Sequence, residues 1–196
     1  MFTACYPLIL ASASPRRSDL LAQLGLHFHI VPATVEETPF PQEAPIDFVR
    51  RMAGAKAEQV AIKHPDACVI GADTVVTLDH HIFGKPRDRE DALAMLTSLQ
   101  GKTHAVITGF ALIANNRELK TVEAVTTSVT FGSFSDTVLR SYVLTGEPMD
   151  KAGAYGIQGI GGFLVHEISG SYSNVVGLPL HAVVHTLLKW CCIQPV

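Results

Sequence analysis

Residues 8–21 read LILASASPRRSDLL, an apolar run that passes into small hydroxyl residues, a proline and two adjacent arginines. The apolar part predicts a buried strand over residues 6–11. Ser14 and Pro15 predict the start of a helix, because serine is favoured at the N-cap and proline at the first helical position. Leucines at helical spacing continue this helix, and Gly25 predicts its end. The stretch therefore predicts a strand, a turn and a helix in direct succession.

The rest of the chain alternates between strand-like and helix-like patterns. Further strands are predicted at 28–31, at 67–78 with an interruption at 71–73, at 103–114, at 119–131 and at 163–168. Further helices are predicted at 46–64, 88–99, 135–145 and 175–190. Hairpin turns are expected at His80-His81 and Asn115-Asn116. The predicted fold class is α/β, with a mixed, partly antiparallel central sheet flanked by helices, in a single domain over residues 1–196.

Composition narrows the kinds of partner to expect. Hydrophobic residues make up 47% of the chain and charged residues 17%, as in a globular protein with a core. A net charge of -3 argues against nucleic-acid binding, although a small phosphate ligand needs only a local cluster of cations. No apolar run approaches the roughly 18 residues of a membrane span. The four cysteines show no CxxC pair or disulfide-like spacing, so we expect a cytoplasmic protein without nucleic-acid or membrane partners.

The turn between the first strand and helix is a candidate anion site. Ser12 and Ser14 offer hydroxyls beside backbone N–H groups at a helix N-terminus, which favours anions. Arg16 and Arg17 add forked donors that suit phosphate oxygens. The same residues equally fit a capped helix whose two arginines face water.

Asp73 is the second candidate, because it stands inside the apolar run of residues 67–78. A carboxylate is costly to bury there unless it is paired or bound to a metal. An aspartate at a strand end can act as a metal ligand or as a general base toward water. An aspartate that caps a neighbouring turn is the alternative interpretation.

Three further charged residues complete the set of candidates. Glu37 follows Glu36 in a proline-bounded loop at 32–45, Lys56 lies in the small-residue helical run AGAKA, and Lys85 is held in the rigid turn GKP. Each of them alone also fits an ordinary surface residue. Together, cations and carboxylates near element ends are what a metal-bound polyphosphate site requires: Mg²⁺ takes carboxylate and phosphate oxygens, and cations offset the remaining charge.

The motifs that carry these residues resemble the Maf family of nucleoside triphosphate pyrophosphatases. They occur in order and span nearly the whole chain: SASPRR (12–17), GADT (71–74), GKP (84–86), DKAGAYGIQG (150–159) and VGLPL (176–180). The resemblance implies two lobes with a cleft, a homodimer, a nucleoside triphosphate substrate, and a divalent metal cation, Mg²⁺ or Mn²⁺, as cofactor.

The resemblance also implies roles for individual residues. Asp73 matches the catalytic acidic residue that accepts a proton from the attacking water, and Glu37 matches the residue that holds the metal together with Asp73. The polar and cationic positions around the triphosphate are matched by Ser12, Arg16, Arg17, Lys56 and Lys85, the two lysines with a catalytic role. The positions associated with base selection are matched by Arg16, Thr74 and Gln158.

Gln158 lies in a loop with five glycines at 153–162, and it bears on the substrate. The motif AGAYGIQG resembles the branch that hydrolyses dTTP and UTP, whereas the sister branch linked to 7-methyl-GTP usually lacks this glutamine. Its amide offers the pyrimidine edge both a donor and an acceptor. A modified pyrimidine nucleotide is also compatible with this pattern.

Two alternatives come from other functional classes. The first is a nucleotide-binding regulator of cell division, because the family is associated with septum formation; Asp73 argues against it, since a binding protein needs no general base. The second is a purine pyrophosphatase that acts on ITP or XTP, against which Gln158 and Arg16 argue.

Overall fold

The structure, a computed structural model, describes residues 1–79 and 81–196 of the chain. The strands are β1 (Phe2–Ala4), β2 (Leu8–Leu10), β3 (His29–Ile30), β4 (Cys68–Leu78), β5 (His81–Phe83), β6 (Thr103–Ala114), β7 (Leu119–Phe131), β8 (Val165–Ser169) and β9 (Ile193–Pro195). The helices are α1 (Pro15–Ala22), α2 (Pro45–Ala61), α3 (Arg89–Leu99), α4 (Asp136–Leu144), α5 (Tyr172–Val176) and α6 (Leu180–Lys189). None of the described helices has the length and apolar character that crossing a membrane requires.

The main sheet is mixed, as predicted. Its strand order is β3-β2-β4-β6-β7-β8, and β5 pairs with β4. β2 runs parallel to both β3 and β4, whereas the pairs β4–β5 and β7–β8 are antiparallel. β1 and β9 form a separate antiparallel pair that the sequence patterns did not predict. The α/β class with a partly antiparallel sheet and flanking helices is confirmed.

Local signals placed several elements correctly. The strands predicted at 103–114 and 119–131 are β6 and β7, hydrogen-bonded neighbours joined by a 3-10 turn at Asn115–Arg117. Such a short connection makes them a hairpin, because parallel strands need a long crossover. α1 begins with Ser14 at the N-cap and Pro15 at its first position, also as predicted.

Two predicted elements were wrong in detail. β4 is continuous through residues 71–73, where an interruption was expected. The single helix expected at 175–190 is two helices, because Gly177 adopts φ 123° and Pro179, which has no N–H, stands at the N-cap of α6. The predicted turn at His80-His81 falls partly outside the described residues; His81 begins β5.

The chain contains two compact units. The first unit comprises Met1–Asp73, Thr108–Val125 and Gly177–Val196, and the second comprises Thr74–Ile107 and Thr126–Val176. Part of the first unit's core consists of small and β-branched side chains: Ile9, Ala53, Ala57, Val60, Val69, Ala111 and Ile113. The second unit's core contains large side chains, among them Leu96, Leu99, Phe131, Leu139, Tyr142 and Leu164.

Within the first unit, α2 packs with its backbone very close to the sheet. A Cβ at Gly71 of β4 would lie 2.4 Å from the carbonyl oxygen of Ala53, and one at Gly109 of β6 would lie 2.2 Å from that of Val49. Real Cβ atoms do not approach backbone so closely, so both positions require glycine. The small residues around Lys56 on α2 thus lie against the sheet.

Candidate active site

A buried lysine joins two carboxylates in the first unit. Nζ of Lys56, on α2, donates a hydrogen bond to Oδ1 of Asp73 at 2.6 Å and forms an ion pair with Oε1 of Glu37 at 2.5 Å. Lys56 and Asp73 are only 8% and 7% exposed, whereas the side chain of Glu37 is 57% exposed. Because both oxygens contact the same nitrogen, they lie no more than about 5 Å apart. Three of the predicted site residues are thereby brought together.

The position of Asp73 follows from strand alternation. Side chains two apart on a strand share a face, so Asp73 lies on the same face of β4 as Gly71, which packs on α2. The close packing at Gly71 brings the helix near enough for Lys56 to reach the carboxylate. The residues that predicted an interruption therefore have other roles in β4. Gly71 allows α2 to pack closely, and Asp73 bonds Lys56.

Burial raises the pKa of the Asp73 carboxyl above its ordinary value. The positive charges of Lys56 and Arg17 oppose this rise, and the negative charge of Glu37 adds to it. A carboxylate with a raised pKa holds a proton more strongly than a surface aspartate does. Asp73 is therefore better suited to accept a proton from water near neutral pH.

A second cluster lies at the start of α1. Nη1 of Arg17 donates to the hydroxyl oxygen of Ser12 at 3.0 Å, and the same oxygen accepts from the N–H of Ser14 at 3.3 Å. Nε of Arg17 donates to the carbonyl oxygen of Gly177 at 2.8 Å. The segment that separates α5 from α6 thus helps to orient Arg17, so the motifs at 12–17 and 176–180 meet.

Two arginines concentrate positive charge in this cluster. Burial lowers the pKa of Arg17, Asp73 opposes that effect, and the neighbouring Arg16 adds to the lowering. A guanidinium nevertheless stays charged in proteins. Arg17 and the half-buried Arg16 therefore supply fixed cations beside the buried hydroxyl of Ser12, which suits an anionic ligand.

The loop that carries Glu37 is anchored at two points to α2. Gln59 exchanges two hydrogen bonds with the backbone of Thr34, at 2.7 and 2.9 Å. Arg51 donates to the carbonyl oxygen of Thr38 at 3.1 Å and binds both carboxylate oxygens of Glu43. The sequence patterns predicted neither Arg51 nor Gln59, since no local pattern shows which helix side chains bond a distant loop.

The remaining predicted residues belong to the second unit. Thr74 follows Asp73 directly and leaves β4 from the opposite face, the one that carries Val76. Lys85 is exposed in the turn after β5, and the carbonyl oxygen of Gly84 accepts a hydrogen bond from the N–H of Gly153 at 3.1 Å. The motifs at 84–86 and 150–159 therefore contact each other within this unit.

Gln158 is exposed in a segment that we call the glutamine loop, residues 156–161. A 3-10 turn at Ile160–Leu164 includes the last two residues of this loop, so the predicted glycine-rich loop is partly ordered into a tight turn. The carboxylate of Glu147 accepts hydrogen bonds from backbone N–H groups of this loop. The sequence patterns did not predict a role for Glu147, because it precedes Gln158 by eleven positions and belongs to no periodic pattern.

The carboxylates of Glu37 and Asp73 are a donor set suited to Mg²⁺ or Mn²⁺. Mg²⁺ is usually bound by one or two carboxylates and completes its octahedron with water and substrate phosphates. Among the described residues there is no cluster of three or more histidine, cysteine or acidic side chains suited to a metal. A cation here would therefore draw its other ligands from the substrate and solvent, so these residues fit a metal that accompanies a triphosphate.

The sequence was also compared with known proteins. The family model described as "Maf-like protein" matches residues 7–190. A protein of Desulfotalea psychrophila named dTTP/UTP pyrophosphatase is 52% identical over 194 residues, which are 99% of this chain and 100% of the relative. Proteins of the same name from Myxococcus xanthus and Citrifermentans bemidjiense are 52% and 49% identical over 180 residues, covering 92% of this chain and 90% and 93% of theirs. Since both the family model and these relatives align along almost the entire sequence, the chain belongs to the Maf family.

Proposed function

We propose that the protein is a nucleoside triphosphate pyrophosphatase that hydrolyses dTTP and UTP to the monophosphate and pyrophosphate. The observation that carries this proposal is the buried Asp73 carboxylate, bonded to Lys56 beside the exposed carboxylate of Glu37. This cluster combines a proton acceptor, a cation and a second carboxylate. The choice of substrate is supported by the name of the relatives and by Gln158 in the glutamine loop.

In this mechanism Asp73 accepts a proton from the water molecule that attacks the α-phosphorus. The new bond joins the water oxygen to the α-phosphorus, and the bond to the oxygen that bridges the α- and β-phosphates breaks. The electron pair leaves with pyrophosphate, and a nucleoside monophosphate remains. Lys56 and Lys85 offset the negative charge that develops on the triphosphate.

The triphosphate is received by the cations and hydroxyls at the start of α1. Arg16, Arg17 and Ser12 provide donors there, and the helix N-terminus adds favourable backbone polarity. Thr74 and Gln158, with Arg16, select the base. Glu37 and Asp73 would hold Mg²⁺ or Mn²⁺, and the ion would supply Lewis-acid stabilisation of the phosphate oxygens.

The test is release of pyrophosphate from dTTP, UTP, CTP, ATP, GTP and ITP, each with and without Mg²⁺ or Mn²⁺. We expect metal-dependent release that favours dTTP and UTP and falls at least about 100-fold in Asp73→Asn, the range typical for loss of a general base. The matched control is Asp136→Asn, which neutralises an exposed aspartate on α4 and should leave turnover unchanged.

Each other outcome removes a defined part of the proposal. Preferred turnover of purines would contradict the assignment of pyrimidine substrates while leaving a pyrophosphatase. Wild-type turnover in Asp73→Asn would contradict the assigned base. A folded protein that binds a nucleotide and turns over none would contradict the enzymatic proposal and favour a regulatory role.

We also propose that the protein acts as a homodimer in the cytoplasm. The family resemblance supports the dimer. The four free cysteines suit a reducing compartment. Light scattering coupled to size exclusion should give twice the chain mass. A single chain mass across the micromolar range would contradict the dimer.

A further inference from the structure

Within the second unit, the carboxylate of Glu147 and the hydroxyl of Tyr142 form a hydrogen-bonded pair that holds the glutamine loop. Oε2 of Glu147 accepts from the N–H of Ile160 at 2.9 Å, and Oε1 accepts from the N–H of Gly161 at 2.8 Å. The Tyr142 hydroxyl donates to Oε1 of Glu147 at 2.9 Å and accepts from the N–H of Gly156 at 3.3 Å. Both ends of the glutamine loop are therefore bonded to this pair, which we call the clamp.

The loop fits closely around the clamp. A Cβ at Gly159 would lie 2.7 Å from Oε2 of Glu147, and a Cβ at Gly161 would lie 2.2 Å from the Tyr142 hydroxyl. Gly159 also adopts φ 122°, a conformation that only glycine takes up readily. These two glycines let the backbone lie directly against the clamp atoms. Their conformational freedom makes the loop costly to order without such bonds.

The carboxylate is charged when it makes these bonds. Burial alone would raise the pKa of Glu147, but the N–H groups of Gly161 and Ile160 and the Tyr142 hydroxyl outweigh that effect, so its pKa lies below the ordinary value. Hydrogen bonds to an ionised acceptor are shorter and stronger than neutral ones. A glutamine at this position would keep one acceptor oxygen and lose the other.

Lys151 also packs against the glutamine loop. Its ammonium donates to the carbonyl oxygen of Glu147 and to the carboxylate of Asp150, both at 2.6 Å. Its side chain passes so close to Gly156 that a Cβ there would lie 2.5 Å from Cε of the lysine. The backbone on either side of Gln158 is thus fixed, whereas the glutamine side chain itself is exposed.

We infer that Glu147 is a positioning residue for base selection, because the clamp sets the backbone from which Gln158 reaches the pyrimidine. The inference rests on the proposed function, in which Gln158 contacts the base. Preorganisation of this kind lowers the ordering cost that a ligand must otherwise meet on binding. Loss of the clamp should therefore weaken binding of pyrimidines and reduce discrimination, while Asp73 and Lys56 keep their chemistry.

The kinetic test compares Glu147→Gln and Glu147→Ala with Glu167→Gln, which changes an exposed glutamate on β8. We expect Glu147→Ala to raise KM for dTTP roughly tenfold and to lower the ratio of kcat/KM for dTTP over ITP by a similar factor, with kcat within about threefold. Glu147→Gln should be intermediate, since one oxygen remains. An unchanged KM and ratio in Glu147→Ala would overturn the inference.

A double-mutant cycle separates positioning from a general structural role. If Glu147 acts through Gln158, then Glu147→Ala should change the dTTP/ITP ratio by less than about twofold in a Gln158→Ala background. An undiminished effect in that background would overturn the inference. A Gln158→Ala variant with the wild-type ratio would instead contradict the base-reading role in the proposed function, and the inference with it.

Amide hydrogen exchange tests the clamp independently of activity. The N–H groups of Ile160 and Gly161 should both exchange at least about tenfold faster in Glu147→Ala, which loses both acceptor oxygens, and one of them should do so in Glu147→Gln, which loses one. Tyr142→Phe removes a single hydroxyl and serves as the milder variant if Glu147→Ala folds poorly. Unchanged protection of both amides in folded Glu147→Ala would overturn the inference even if the enzyme is active.

Discussion

Asp73 illustrates how a single buried charge is tolerated in this protein. An isolated carboxylate at 7% exposure would be strongly disfavoured, but Lys56 supplies both a counter-charge and a hydrogen bond. The pair does not cancel the effect of burial, because the pKa of Asp73 remains raised. The raised pKa makes Asp73 a stronger base than a surface aspartate, which suits it to accept a proton from water.

His104 is a second buried titratable residue, and it lies outside the proposed site. It is 3% exposed, its Nε2 lies 2.9 Å from the Tyr155 hydroxyl, and its ring packs edge-on against Phe131. Among the described residues, its Nδ1 has no hydrogen-bond partner. Burial lowers the pKa of His104 from 6.5 to about 4. The side chain of His104 is therefore neutral in the folded protein near neutral pH.

Stability should therefore depend on pH through His104. Between about pH 6.5 and pH 4 the unfolded chain binds a proton that the folded protein does not, so the free energy of unfolding falls as the pH is lowered. At pH 5 the loss should be about 2 kcal/mol relative to pH 7.5. Urea unfolding of wild type and His104→Gln at pH 5 and pH 7.5 measures this loss. Glutamine is the suitable replacement because it can still bond Tyr155 and does not titrate. An equal loss in both proteins would contradict the assignment.

At the scale of elements, α2 organises the first unit. It carries Lys56, anchors the loop of Glu37 through Arg51 and Gln59, and packs on Gly71 and Gly109. The first-unit cluster is thus built mainly by one helix and one strand whose separation is set by glycine. The geometry of the proposed catalytic pair should therefore respond to changes in that separation.

Two glycine-to-alanine substitutions test this dependence. In Gly71→Ala the new methyl would meet the backbone of Ala53 and Ala57, so we expect a loss of about 1–3 kcal/mol in the free energy of unfolding and lower turnover. The control is Gly54→Ala, on α2 itself, where the atom nearest to the new methyl would be a methyl carbon of Val122 at 3.7 Å. That variant should be neutral or stabilised by up to about 1 kcal/mol. Equal effects of the two substitutions in urea unfolding would contradict the packing argument.

The elements that sequence predicted well are those with strong local signals. β6 and β7 are rich in β-branched residues, and α1 starts at a serine and a proline. Gly71 and Asp73 look like a break in β4 because local patterns do not show that a helix and a lysine approach from elsewhere. The split between α5 and α6 was visible in Gly177 and Pro179, but helical periodicity on both sides outweighed it.

For the whole molecule, overall charge says little about the site. The net charge is -3, and yet the first unit contains the cations Arg16, Arg17 and Lys56. The carboxylates of Glu37 and Asp73 belong to the same unit. Family motifs indicated the candidate residues, whereas contacts between distant segments determine how they are held. Arg51, Gln59 and Glu147 went unpredicted for that reason: each acts on a loop from a separate element, and no local pattern marks such a bond.

The central claim is that water activated by Asp73 attacks the α-phosphorus, and isotope labelling tests it most directly. Hydrolysis of dTTP in water enriched in ¹⁸O, followed by mass spectrometry of both products, locates the attacked phosphorus. Our account predicts one ¹⁸O atom in dTMP and none in pyrophosphate, with formation of both products suppressed in Asp73→Asn. Label in pyrophosphate, or release of orthophosphate and dTDP, would contradict it.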